Sequence, residues 1–301
     1  MKKHTILKIL LNAFFVILAL IILLPMAWMI LNSLKTNQEL FRDSLALPAV
    51  PQFKNWVNAW NQGLYKYFGN SLIVSGSSLI GILIFSSFLA YGLTRFKAKG
   101  SGIIFLIVLG GMALSEQVAL VPLYKMLKAV HLYNTYWAVI LPYIAFRIPF
   151  TVFLMRSYFI SIPKELEEAA VVDGYNSLQI FTKIIVPISK PIFASCAIVC
   201  LNHVWNEFLF ANVFLESKKL MTIPIGLMTF KGDLRADYVT MLAGIIIASL
   251  PMIILFLCMS KQFVRGLTAG AVKGLSFYIK KWKPSVMHRR FWFLSVLCLH
   301  L

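Results

Sequence analysis

Charge is scarce in this sequence, and acidic charge is the scarcest. Asp and Glu together number 11 in 301 residues, and all charged residues make up 13%, about half the usual share. A soluble domain of this length cannot cover itself with so little polar surface. Disorder requires low hydrophobicity, yet apolar residues reach 59% here and mean hydropathy is +0.79. Only four cysteines are present, which excludes a disulfide scaffold. No GxxxxGK followed by Ser or Thr occurs, so the chain cannot hold ATP in the P-loop manner. HExxH, CxxC and GxSxG are also absent, which removes the commonest hydrolase and redox signatures. There is no internal repeat and no low-complexity tract. Ten-residue alternating segments are missing too, which argues against a membrane β-barrel.

What the chain has is long apolar runs. Windows nearly free of charge lie near 9–31, 70–93, 103–124, 136–155, 191–214 and 239–260. A membrane helix needs about 20 mostly apolar residues. The sequence therefore predicts an all-α integral membrane protein with six transmembrane helices. Met1-Lys2-Lys3-His4 resembles the start of a signal peptide. The apolar run behind it is too long for one and no A-x-A site closes it, so it reads as a retained helix.

The charges that exist are lopsided: 29 Lys+Arg against 11 Asp+Glu give +18. Nucleic-acid-binding domains are not this apolar, so no nucleic-acid partner is expected. Basic residues instead orient a membrane chain. With the amino terminus in the cytoplasm, 18 basic residues lie inside and 10 outside, and Arg147 falls in a span. The tightest signal is the 94–101 turn, which carries Arg95, Lys97 and Lys99. Six spans then place both termini in the cytoplasm. The outer segments are 32–68, rich in aromatics, prolines and amides, and the polar 215–238.

One inner loop is more than a connector. Residues 161–187 read as helix, turn, helix. Ser161 is placed to cap the first helix and Pro163 to sit in its first turn. Glu165, Glu167 and Glu168 favour a helix start. Gly174 suits a left-handed turn that ends it. Ser177 is placed to cap a second helix running to Pro187. Ala169 and Ala170 are expected on one small surface that fits close against another protein's groove. The alternative is an amphipathic helix on the inner leaflet, which four acids on that stretch oppose because that leaflet is itself negative.

The loop's spacing is specific. Glu168-Ala169-Ala170, three residues, Gly174, nine residues, Ile184, one residue and Val186-Pro187 resemble the EAA loop of binding-protein-dependent ABC importer permeases. Val186 stands where Leu is usual. Phe53-Lys54-Asn55-Trp56, Ala59-Trp60 and Asn70-Ser71 resemble the first outer loop of sugar-importer permeases. Gln117 with Val121-Pro122-Leu123-Tyr124 resembles their third span, and Trp205-Asn206-Glu207-Phe208 their fifth. Phe263 to Gly274 resembles the carboxy end of the maltose-permease-like member of such pairs. The resemblance covers about residues 5–274. It implies a six-helix permease that docks Glu168, Ala169, Ala170, Gly174, Ile184 and Pro187 against a separate ATPase. It implies further partners: a second related permease, two ATPase subunits, a solute-binding protein and the lipid bilayer. No cofactor is implied on this chain, with ATP held by the partner subunits, and no enzyme chemistry.

Three ionisable residues fall at membrane depth: Glu116, Arg147 and Glu207. Each costs roughly 2.5–3.5 kcal/mol to insert unless paired or wet. One reading makes them a translocation path, with Trp205 and Asn206 beside Glu207 suited to a sugar's apolar face and hydroxyls. The other pairs Arg147 with either acid to fix helix packing. The resemblance also allows the partner permease to hold most of the substrate. Cys196, Cys200 and His203 share a helix face, but buried thiols more often pack as small apolar groups than bind metal. Residues 1–274 form the transmembrane domain. The 275–301 tail carries Lys280, Lys281, Lys283, Arg289 and Arg290, then an apolar run too short to span. It reads either as an interfacial segment or as extra sequence without function. The rival functions are an importer for another solute class, an ion-coupled secondary transporter and a membrane-embedded enzyme.

Overall fold

The structure, a computed structural model, describes residues 2–96, 100–231 and 237–279, with side chains over 9–96, 100–230 and 237–259. Lys97, Lys99, Arg235 and the 280–301 tail lie outside the described residues, as do the side chains of the 263–274 motif. The described residues form helices α1 (Lys2–Ser33), α2 (Asn37–Arg42), α3 (Lys54–Ala59), α4 (Tyr65–Arg95), α5 (Ser101–Gly110), α6 (Glu116–Ala129) and α7 (Trp137–Ile160). After these come α8 (Glu165–Val172), α9 (Ser177–Ile180), α10 (Val186–Ile188), α11 (Lys190–Asn206), α12 (Leu209–Phe214), α13 (Ile223–Met228) and α14 (Tyr238–Ile279). Short 3-10 or π turns fill several gaps.

Four helical stretches are long and apolar enough to cross a membrane: Ile9–Ser33, Lys54–Arg95, Trp137–Ile160 and Tyr238–Met259. They match four of the expected spans. The expected spans 103–124 and 191–214 are not straight helices. The first is α5 and α6, bent by 97°. The bend lies at Leu114 and Ser115, which take extended conformations (ψ 120° and 134°) after a short 3-10 turn over 111–113. The second ends at Asn206, where Glu207 leaves the helical conformation (φ −67°, ψ 130°). Chain in α12 then resumes the helix. On its other side α11 meets the Ser177–Ile188 stretch at 77°. Four to six spans result, depending on whether each bent pair is one.

At the centre α4 lies against α7. Ser71, Ser75, Ser78, Ser86 and Ser87 are buried on α4, and small residues let helix backbones approach closely. Gly81 packs so near Ile144 that an added Cβ would overlap it. Three apolar clusters fill the bundle. One gathers Val74, Ile82, Val139 and Tyr143 with Phe210 and Phe214. A second joins Tyr91, Met155 and Phe159 to Ile180, Phe181 and Ile185 of the 161–187 loop. In the third, Leu64, Tyr67 and Trp205 pack on Ile223, Leu227 and Ala243. Helix α1 stays outside them and runs along α14. It is apolar all round, which suits lipid or another subunit rather than water.

The 32–60 segment has its own polar knot. Lys35 is fully buried, and its Nζ donates to the Asp43 carbonyl at 3.0 Å. Asn55 Nδ2 donates to the carbonyls of Ser33 and Lys35, both at 2.8 Å. Thr36 and Glu39 open α2 with a reciprocal capping box.

Gly226 on α13 abuts the Tyr67 ring, so that a Cβ there would collide with it. Overpacking of this kind costs about 1–3 kcal/mol. Gly226→Ala should therefore lower the thermal midpoint of the detergent-purified protein, followed by tryptophan fluorescence, while Gly69→Ala, which meets nothing within 4 Å, should change it far less.

Candidate functional site

The 161–187 loop folds as helix, turn, helix, but with different caps from those expected. Ser161 does not open α8. Its Oγ donates back to the Tyr158 carbonyl at 2.7 Å and closes α7, because a serine hydroxyl reaches a free carbonyl three residues behind as readily as an amide ahead. Lys164 takes the cap position, and Glu165, Glu167 and Glu168 fill the first turn of α8. Gly174 behaves as the sequence predicts. Its φ is +81°, its N–H donates to the Val171 carbonyl and the Tyr175 N–H to that of Ala170, each at 3.0 Å. The second helix is capped by Asn176 and not Ser177. Asn176 Oδ1 accepts from the Gln179 N–H and Gln179 Oε1 from the Asn176 N–H, both at 2.9 Å. Asn is as strong a cap as Ser, and Gln three residues on completes a box that Ser177 lacks.

The two alanines do not share one surface. Ala170 is 3% exposed and joins the second cluster, whereas Ala169 is exposed. One side of the loop thus anchors it: Ala170, Ile180, Phe181 and Ile185 pack with Tyr91, Met155 and Phe159. The other side shows Glu165, Glu168, Ala169 and Pro187, with Val172 88% exposed and Ile184 half-buried. This free face carries acids and small or apolar groups together.

Arg95 is the residue that sequence reasoning missed, since it was counted only as an orienting charge. It ends α4 and turns into the loop. Its Nε lies 2.6 Å from Glu167 Oε1, with side chains 7% and 15% exposed. Its Nη2 donates to the carbonyls of Phe159 at 3.1 Å and Ile162 at 3.0 Å. Burial pushes the Glu167 carboxyl up, against the pull of the Arg95 guanidinium and Lys164.

The second set lies within the bundle. Glu116 opens α6, Arg147 sits midway along α7, and Arg147 Nη2 pairs with Glu116 Oε1. His203 Nε2 is 3.8 Å from the same oxygen. Arg147 and Glu116 are 24% and 21% exposed. Glu207 does not pair with Arg147. It is 7% exposed, accepts from the Phe210 N–H at 2.8 Å and the Ala211 N–H at 3.2 Å, and receives the Tyr143 hydroxyl. Trp205 is buried, its Nε1 donates to the Ala248 carbonyl at 3.0 Å and its ring meets Phe68 edge-on. Asn206 is exposed and donates to the Asn202 carbonyl at 2.8 Å. The five path residues therefore fall into four places: Glu116 with Arg147, Trp205 in the third cluster, Glu207 against Tyr143 and Phe210 of the first, and Asn206 at the surface. Cys200 Sγ lies 3.3 Å from Thr151 Oγ1. Among the described residues no group of three His, Cys, Asp or Glu could hold a metal ion.

Two outcomes test this geometry. Gly174→Ala meets no atom within 4 Å, so its cost is the left-handed backbone alone, roughly 1–2 kcal/mol. Amide exchange at Gly174 and Tyr175 should speed up, and Gly174→Asn should speed it less. A double-mutant cycle on Glu116→Gln and Arg147→Gln should show a coupling of about 0.5–3 kcal/mol in thermal stability. Additive losses would contradict the pair.

The chain matches the family described as "Binding-protein-dependent transport system inner membrane component" over residues 5–268. It is 48% identical over 250 residues to the "Probable ABC transporter permease protein YurM" of Bacillus subtilis, covering 83% of each chain. Over 277 residues it is 38% identical to the "Arabinooligosaccharides transport system permease protein AraQ" of the same organism, covering 90% of this chain and 98% of that one. In fold it resembles a chain of a bacterial ABC transporter that imports the acidic polysaccharide alginate, with TM-score 0.76 over 87% of this chain and 98% of that one, at 22% identity. A multi-pass helical bundle with a family match over nearly its whole length leaves one assignment: the chain belongs to the inner membrane components of binding-protein-dependent transport systems.

Proposed function

We propose that this chain is the permease subunit of an ATP-driven sugar importer and forms half of its translocation path. The observation that carries the sugar reading is the 38% identity to the arabinooligosaccharide permease over almost all of both chains. The melibiose, raffinose and stachyose import permease MelC of Bacillus subtilis supports it at 35% identity over 253 residues. The chain has six spans, with α5–α6 and α11–α12 counting as one each, and both termini in the cytoplasm. The basic 94–101 turn and the positive-inside bias support that orientation. A binding protein delivers sugar to the outer segments 32–68 and 215–238. A second related permease supplies the other half of the path. Two ATPase subunits receive Glu168, Ala169, Ala170, Gly174, Ile184 and Pro187 of the 161–187 loop, whose free face carries the acids. ATP stays on those subunits. Their closure moves the loop and switches the bundle between outward- and inward-facing states as rigid bodies.

Within the path, Glu116 and Arg147 offer a partly open ion pair and Asn206 an exposed amide. Trp205 and Glu207 act less directly, by holding the break between α11 and α12. Residues 1–274 carry transport, and 275–301 are dispensable.

Radiolabelled mono- and oligosaccharides test the substrate class. The cognate binding protein should bind an oligosaccharide, and cells lacking this chain should lose its uptake. Intact sugar uptake with lost uptake of an amino acid or phosphate would overturn the sugar reading. Glu168→Lys should release the ATPase subunits on purification and abolish uptake. Truncation after Gly274 should preserve uptake.

A further inference from the structure

We infer that Arg95 is a positioning residue that joins the 161–187 loop to α4, so that α4 carries movement between the ATPase face and the outer face. This inference rests on the ATP-coupling reading above. Helix α8 is only eight residues long, and among its residues Ala170 alone is fully buried. Apolar packing on so small a footprint lets a pushed helix roll. Arg95 removes that freedom with three contacts to three consecutive pieces of chain. It reaches Glu167 on α8, Ile162 in the connector and Phe159 in the last turn of α7. The Phe159 carbonyl belongs to the end of α7, where carbonyls lack helical partners and attract cations. A guanidinium supplies the several fixed donors that this requires, and an ammonium does not. Both side chains are largely buried; the Glu167 contact is an ion pair by distance, without hydrogen-bond geometry, and the two carbonyl contacts are charge-assisted hydrogen bonds.

The other end of α4 is tied just as firmly. Asn70 Nδ2 donates to the carbonyls of Lys219 and Met221, both at 2.8 Å. Ser71 Oγ accepts from the Ile223 N–H at 2.9 Å. The Tyr136 hydroxyl donates to Asn70 Oδ1 at 2.8 Å, which holds the amide in place. Between these ends, from Asn70 to Arg95, α4 is one α-helix with no proline, a rod of about 38 Å. It lies along α7, in the most extensive helix pairing among the described residues. The α5–α6 pair is bent by 97° and α11 ends at Asn206, whereas α4 is one unbroken α-helix. A sugar-loaded binding protein pressing on 215–238 and an ATPase pressing on 161–187 therefore act on opposite ends of one rod.

The test uses the complete importer in liposomes: this chain, its partner permease, the ATPase subunits and the binding protein. Two ratios are read per assembled transporter, the stimulation of ATP hydrolysis by sugar-loaded binding protein and the ATP consumed per sugar imported. Arg95→Lys keeps the charge but loses the fork. It should cut the stimulation and raise the ATP consumed per sugar, each by about tenfold, the equivalent of one charge-assisted contact. Glu167→Gln leaves both carbonyl contacts, so the importer assembles, and it should shift both ratios in the same direction by less. Should Arg95→Lys not assemble, Glu167→Gln alone decides. Wild-type ratios in the assembled variants, or a smaller amount of transporter with unchanged ratios, would overturn the role of Arg95. A wild-type importer that shows no stimulation by loaded binding protein would overturn the coupling reading itself.

Discussion

Inside a bilayer an unpaired backbone N–H or C=O has no water to turn to. The rest of this structure depends on that constraint. Wherever the chain stays helical at membrane depth, the ladder satisfies itself. Wherever it breaks, side chains must take over. The two breaks lie between α5 and α6 and between α11 and α12, and each has an acid at the restarting helix. Glu116 opens α6 and Glu207 receives the first free N–H groups of α12. The intramembrane charges are thus not scattered. Glu207 caps a helix start, and Glu116 sits where a helix start favours negative charge, neutralised by Arg147. Irregular backbone at membrane depth is tolerated where it is buried in protein or lines a wet cavity. Glu207 meets the first condition.

Against these two bent spans stand α4 and α7, each one long α-helix, packed against each other. The 161–187 loop hangs between α7 and α11, on the end of the bundle where α4 terminates. Its anchored face is apolar and its free face acidic. The loop buries Ile180, Phe181 and Ile185 and leaves Val172 and Glu168 bare, and the proposed docking on a separate protein uses that bare face.

Much of this was legible in the sequence, for identifiable reasons. Long charge-free runs placed the four straight spans to within a few residues, because lipid demands length and apolarity and little else. The Glu168-to-Pro187 spacing marked the loop, and Gly174 was readable because only glycine takes its backbone angle freely. The breaks were not legible. A bend inside an apolar run leaves composition unchanged, so 103–124 and 191–214 read as unbroken. Caps failed for a related reason: Ser161, Asn176 and Ser177 all have side chains able to cap, and tertiary placement chose among them. Arg147 had two possible acids in sequence, and only folding showed that Glu116 is its partner and Glu207 a cap. Arg95 escaped notice because its contacts are to backbone carbonyls and to a carboxylate far along the chain, and neither leaves a local pattern.

The central claim is that transport by this chain is driven from outside it, through the 161–187 loop. The direct measurement is labelled-sugar uptake into liposomes holding the partner permease and this chain, with and without the ATPase subunits, with binding protein added externally and ATP sealed inside. Uptake against a gradient only when both ATPase and ATP are present is the predicted result. Uptake by the permease pair without ATPase, driven by an ion gradient, would contradict the account.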